Sequence, residues 1–274
     1  AQLKAAGASP YLTIGPWHHF SEIGSMTDLS HGLTWFDAHL KGDASRLRQK
    51  PVRIYVMETD EWREFEDWPP PAHTRPYYLH ANGHLMTIPS NEEQSATHYC
   101  YDPTDPTPAV GGTQFGFGGG KRDNRILEAR NDVITFSSDP LSTPLEIIGP
   151  VTATLYVRSS NKYTDFFARL CDVHSSGQSF NVCDGLFRIT PGKSRCNRGD
   201  CQEVEIDMWA TAWRFLPGHR LRLIVSSGAH PRWNRNPGTG DATIIASRLI
   251  PAQQTVFHDR NHFSQISLPI FTMN

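Results

Sequence analysis

The amino-acid sequence predicts a mainly β fold: a jelly-roll-type antiparallel sandwich preceded by the end of an α/β unit. Three observations carry that expectation. Apolar residues alternate with period two in run after run from residue 52 onward. Glycine and proline, 21 and 20 of 274 residues, punctuate the stretches between those runs. The best helical spacing, over residues 28–41, comes before the alternation begins.

Ala1-Gln2-Leu3-Lys4-Ala5-Ala6-Gly7 reads as the tail of a helix stopped at Gly7, where a C′ glycine belongs. Tyr11-Leu12-Thr13-Ile14-Gly15 reads as a short buried strand. A helix tail running straight into a strand, with no initiator methionine and no apolar leader, predicts a chain that starts inside a longer protein. In the 28–41 helix, Asp28 can cap, Leu33, Phe36 and Leu40 share one face, and Gly42 can end it. After Lys50-Pro51 the period changes. Val52, Ile54 and Val56 alternate with Arg53, Tyr55 and Met57, and the pattern returns at Val151–Val157, Phe166–Leu170, Val204–Met208, Leu221–Val225 and Ile266–Ile270. Val52, Ile54, Leu155, Val157, Leu221, Leu223 and Val225 are expected to face inward, since such strands bury one face. Asn82-Gly83 signals a hairpin turn. Residues 101–125 are long and strand-poor, which predicts a functional loop or one packed over the sandwich. The expected boundary is therefore near residue 50. Residues 1–50 would end an α/β domain with its last strand, a histidine loop and a helix. Residues 51–274 would form the C-terminal jelly-roll.

Composition removes several classes of function. Twenty-six Lys+Arg against 28 Asp+Glu leave a net charge of −2, which argues against nucleic-acid binding driven by bulk charge. With 38% hydrophobic and 20% charged residues the chain is neither disordered nor a coiled coil. Its apolar stretches reach about five residues, against the roughly 20 that span a bilayer, so no membrane partner is expected. Five cysteines cannot all pair internally. Reduced thiols, and with them a cytoplasmic location, are the favoured reading; a local disulfide between Cys196 and Cys201 is the alternative. No second close pair supports a zinc half-site at Cys196-x4-Cys201. No cofactor and no metal is expected.

The segment Gly15-Pro16-Trp17-His18-His19 follows the first strand directly and precedes the helix. In α/β-hydrolase architecture the triad histidine lies in a loop after the last strands of the sheet, where it takes the nucleophile's proton and returns it to the leaving group. Surface imidazoles without a catalytic role are the plainer reading of two adjacent histidines in a loop.

A set of ordered motifs adds to this. Gly15 to His19, Pro51-Val52-Arg53-Ile54-Tyr55-Val56-Met57 with Trp62, and Pro76-Tyr77-Tyr78-Leu79-His80 resemble the CocE/NonD family of serine hydrolases. So do Tyr101-Asp102-Pro103-Thr104-Asp105-Pro106, Asp165 to Val173, Pro217 to Leu223 and Pro231 to Asn236. That family includes cocaine esterase, α-amino-acid ester hydrolases and X-prolyl dipeptidyl-peptidases. The resemblance runs from about residue 11 to 240 and implies an α/β-hydrolase domain followed by a jelly-roll. Its triad-histidine motif usually reads Gly-Pro-Trp-Ser/Thr-His, which places the catalytic base on His19 and puts His18 in the Ser/Thr position. The chain holds no Gly-x-Ser-x-Gly elbow. In this family the nucleophile and the triad carboxylate precede the histidine, so both are expected upstream of Ala1. The implied partners are the N-terminal α/β-hydrolase portion of the same protein and a small ester or peptide substrate.

Weaker patterns have plain explanations. Gly116 to Arg122 is glycine-rich but lacks the order of a phosphate loop. His80-x3-His84 spans the Asn82-Gly83 turn, where helical metal spacing does not apply. Asp165 and Arg169, or Arg232 and Arg235, are expected to pair and cap loops. Trp62, Trp68, Trp209, Trp213 and Trp233 could stack on sugars or simply pack. Two readings thus stand: the C-terminal part of a serine hydrolase, or a non-catalytic β-sandwich binding carbohydrate or a partner surface.

Overall fold

The computed structural model describes residues 2–8, 10–17, 22–114, 118–191, 195–198, 201–242 and 245–272. Two short sequence signals shape its start. Helix α1 (Gln2–Ala5) ends at Gly7, whose φ of +80° lets the Ala8 N–H reach back to the Leu3 carbonyl at 3.0 Å. Strand β1 (Leu12–Ile14) follows, then helix α2 (Glu22–Lys41), which Gly42 ends at φ +76°. The helix starts six residues before the expected Asp28, which lies inside it. No proline interrupts residues 22–28, so nothing in the chain stops the helix from extending toward its N-terminus.

β1 pairs in parallel with β2 (Val52–Val56), Leu12 opposite Val52 and Ile14 opposite Ile54. β2 turns back onto β3 (Glu61–Phe65), completing a three-stranded sheet whose strands come from both sides of residue 50. Val52, Ile54 and Val56 are buried against Ile148 and Ala212 of the sandwich.

The remaining strands are β4 (His73–His80), β5 (His84–Met86), β6 (Ala96–Tyr101), β7 (Ile134–Ser137), β8 (Leu145–Ser159), β9 (Thr164–Val173) and β10 (Ser179–Ile189). After them come β11 (Arg195–Arg198), β12 (Cys201–Phe215), β13 (Arg220–Ser226), β14 (Ala252–Phe257) and β15 (Gln265–Ile270). They form one twelve-stranded sheet along the path β10-β9-β13-β7-β5-β4-β15-β8-β12-β11, with β14 on β8 and β6 on β14. Pairing is antiparallel except at β5–β7. The sheet folds over itself. A register shift between Asp207 and Ala210 bends β12, and β10 passes so close that a Cβ on Gly185 would collide with the Asp207 carbonyl. The core lies between the two layers, with Leu155, Val157, Phe166, Leu170, Leu221, Leu223 and Val225 all fully buried. Leu155, Val157, Leu221, Leu223 and Val225 face this core as expected, whereas Val52 and Ile54 are buried in the separate cluster beneath the three-stranded sheet, because β2 pairs with β1 and β3 rather than with the sandwich. Within 52–270 the helical elements among the described residues are one 3₁₀ turn at Ala81–Gly83 and the single turn α3 (Arg125–Glu128).

One buried histidine should make the stability of the sandwich depend on pH. His258 lies under the Phe136 ring, its two ring nitrogens held by the Ser95 and Thr97 hydroxyls at 2.9 Å each. Burial pushes its pKa below the ordinary 6.5. The folded state therefore holds the neutral ring, and the unfolded chain takes up the proton first. This stability is complete above the unfolded value and drains away as pH falls through it toward the folded one. The melting temperature should drop between pH 7.5 and 5, and His258→Gln should make the slope shallower over that range. An unchanged slope in the variant would refute the assignment.

Candidate active site

The histidine loop is framed by residues that hold one another. Gly15 leaves β1 with the Trp17 ring folded back over it, 2.8 Å from where a Cβ would stand. Trp17 meets Trp62 of β3 at 5.8 Å between ring centroids. Trp62 in turn takes the Tyr55 ring edge-on and the Arg53 guanidinium over its face at 4.6 Å. From the other side Arg48 bonds the Thr13 hydroxyl at 3.0 Å and the Pro51 carbonyl at 2.9 Å, while the Tyr11 hydroxyl donates to the Arg48 carbonyl. Tyr11 also meets Trp35 of α2 at 5.6 Å, edge to face. Strand and helix are thereby fixed relative to each other. His18 and the predicted base His19, with Phe20 and Ser21, lie outside the described residues, between Trp17 and Glu22.

Two surfaces beside this frame lack partners among the described residues. β1 has a sheet neighbour on one edge, β2. On α2, Leu29, Leu33, Phe36 and Leu40 are 61, 56, 58 and 77% exposed, and their spacing places them along one side of the helix. A row of four large apolar side chains in water marks an interaction surface.

The other motifs are structural. Asp165 takes Arg188 and Asn236, and Arg169 takes Asp184, so neither pairs with the other. Arg232 also binds Asp184, and Arg235 donates to the Pro103 carbonyl. All four fasten loops or strands, as expected, through partners far along the chain. His80 and His84 face each other across the β4–β5 hairpin, with Asn82 and Gly83 both at positive φ, and His80 Nε2 is engaged by the Ile88 carbonyl. Gly112 and Gly120 close the glycine-rich loop through two backbone hydrogen bonds, and Lys121 pairs with Glu58; Gly116 and Phe117 lie outside the described residues. None of the five candidate tryptophans contacts another: Trp213 is buried on Asp172, Trp233 packs on Phe167, and Trp209 stands exposed on the β12 bulge. Cys100, Cys171 and Cys183 are free thiols, while the Cys196 side chain lies outside the described residues. The sequence reading missed a cluster of Asp172, His174 and His219. Its local signal, Asp-x-His, is too common to single out.

The family comparison decides the rest. Residues 47–267 match the model of the X-Pro dipeptidyl-peptidase C-terminal non-catalytic domain. The chain belongs to this family. It is 36% identical to the cocaine esterase of a Rhodococcus species over 96% of its own length and 52% of that enzyme. An α-amino-acid ester hydrolase of known structure superposes with a TM-score of 0.82 at 25% identity, over 98% of the chain and 51% of that protein. A CocE/NonD family hydrolase from Staphylococcus aureus shares the fold at a TM-score of 0.70 and 17% identity, over 97% and 50%. The chain thus carries an X-Pro dipeptidyl-peptidase C-terminal non-catalytic domain, and it spans about half the length of the relatives it matches. No helix among the described residues is long and apolar enough to cross a membrane.

Proposed function

We propose that this chain is the C-terminal part of a serine hydrolase that cleaves ester or amide bonds through an acyl-enzyme, with His19 as its general base. The serine and the acidic triad member are supplied by an N-terminal α/β-hydrolase portion of the same protein. The observation that carries this reading is the strand–loop–helix frame from β1 to α2. A sandwich that merely binds sugars needs no parallel strand, histidine loop and helix at its start. A hydrolase needs them to set a base beside a nucleophile. The open edge of β1 and the apolar row on α2 are the surfaces the N-terminal portion would cover. The jelly-roll braces that portion and helps wall the cleft for a small ester or peptide substrate. The free thiols at Cys100, Cys171 and Cys183 support a cytoplasmic location.

A serine-directed phosphonate separates the alternatives. Purified 1–274 should take up no stoichiometric label and should hydrolyse p-nitrophenyl esters and aminoacyl-proline amides at background rate. The full-length protein should take up one label per chain, on a residue preceding this segment, and lose its activity in step. A phosphonate adduct within 1–274, with matching loss of esterase activity, would overturn the proposal.

A further inference from the structure

Where the three-stranded sheet meets the sandwich, six side chains with chemistry to offer converge. Met57 at the end of β2 bridges Trp213 on β12, its N–H on the Ala212 carbonyl, which carries Glu58 over the sandwich. Val173 pairs with Arg220 across the β9–β13 ladder, so His174 and His219 stand beside each other at its end, their rings stacked at 4.2 Å. Asp172 is buried beneath them. Asp172, His174 and His219 each bring a ligating atom within 4.8 Å of the others. Glu58 Oε2 lies 3.7 Å from His174 Nε2, and Asp172 Oδ2 lies 3.9 Å from the same nitrogen. That nitrogen is fully buried and has no hydrogen-bond partner, although two carboxylates face it just beyond hydrogen-bonding range. A lone imidazole nitrogen aimed between two carboxylate oxygens is costly unless something sits among them.

We propose that Asp172, His174 and His219 hold a divalent transition-metal ion, zinc by the chemistry of the donors, with Glu58 beside His174 as a fourth donor that swings in. Imidazole nitrogens and carboxylate oxygens are zinc ligands at about 2.0–2.2 Å, and ligands at that radius in a tetrahedron stand about 3.3–3.5 Å apart. The gap between His174 Nε2 and Asp172 Oδ2 therefore closes onto an ion with a movement of about half an ångström, while Glu58, outside the group within 4.8 Å, moves further. Trp213 Nε1 donates to Asp172 Oδ2 at 3.0 Å, while the 2.8 Å bond between His219 Nδ1 and Asp172 Oδ1 is one that both give up to the ion as the stacked rings turn toward it. The second Glu58 oxygen accepts from Lys121, whose ammonium lies over the Phe180 and Trp213 rings at 4.4 and 5.4 Å. Such outer partners fix the orientation of metal ligands. Two carboxylates against one ammonium leave a net negative charge for the ion to neutralise. The ion would tie the small sheet, through Glu58, to the sandwich, through the other three, so this is a structural site that clamps the two sheets.

Zinc and cobalt(II) titrations of the 274-residue chain, pretreated with a chelator, test this. One ion per chain should bind and raise the melting temperature, and cobalt should give the visible bands of a nitrogen- and oxygen-ligated tetrahedral site. His174→Gln and Glu58→Gln, each with an unaltered far-UV spectrum, should weaken binding at least about tenfold and abolish the thermal shift. His262→Gln, on the distant Asp259 pair, should change neither. No uptake of either metal would overturn the site. So would thiolate charge-transfer bands, which would place the ion on cysteines, or undiminished binding by His174→Gln.

Discussion

On the proposed function, His19→Ala in the full-length protein should lower turnover about 10⁴–10⁶-fold, because members of a hydrolytic triad act as a unit and losing the base removes most of what the unit does. His18→Ala should cost far less, at most about tenfold. Other residues hold the flanking frame. β1 and α2 are joined by Arg48, Tyr11 and Trp35, with Trp17 and Trp62 closing the loop side. A base role also predicts what structure alone does not. His19→Ala should lose the burst of p-nitrophenol that marks acyl-enzyme formation, and the phosphonate should label the serine far more slowly. The acid limb of the kcat/KM profile, set by an imidazole ordinarily near 6.5, should disappear with it. Equal losses for the two variants, or near-normal turnover without His19, would remove the assignment.

How legible the molecule was depended on how far apart partners lie. β2 shows the simplest case: Val52, Ile54 and Val56 buried, Arg53 and Tyr55 between them partly exposed, as alternation demands. β9 shows where alternation falls short. Phe166, Ala168 and Leu170 face the core as their spacing predicts, yet Asp165, Phe167, Arg169 and Cys171 on the other face are buried as well. Val110, Asn124 and Trp233 reach over that second face, and no local pattern announces a covering loop. The start of α2 was misjudged because Asp28 is an acceptable cap, though nothing forces a helix to begin at one. Ordered motifs brought out the family. The Asp172, His174 and His219 cluster joins residues 47 apart through strand pairing that spacing along the chain does not encode.

Arg169 carries the largest expected effect on stability. It is completely buried on β9, and its guanidinium is spent on three partners: Asp184 across the β10 pairing through Nε at 3.1 Å and Nη2 at 2.7 Å, the Asn124 side-chain oxygen, and the Val110 carbonyl. Two of those lie in the long loop 102–124, so this one side chain bolts the loop to the sheet. Arg232 takes the other Asp184 oxygen, and Gly112 passes so close that a Cβ there would stand 2.9 Å from that carboxylate. Removing one member of a buried ion pair strands the other, at about 3–5 kcal/mol. Arg169→Ala should lose that much in urea unfolding, a large share of the ~5–15 kcal/mol a domain possesses. Arg169→Lys should recover little, since an ammonium cannot serve a carboxylate and two further acceptors along a planar fork. Arg169→Met with Asp184→Asn should cost less than the sum of the two single changes, because the stranded charge goes with its partner. Loss of the bolt should also expose residues 102–124 to limited proteolysis while the sandwich strands stay protected. Additive costs in the double variant, or an Arg169→Lys protein of normal stability, would mean that the loop is held by something other than this fork.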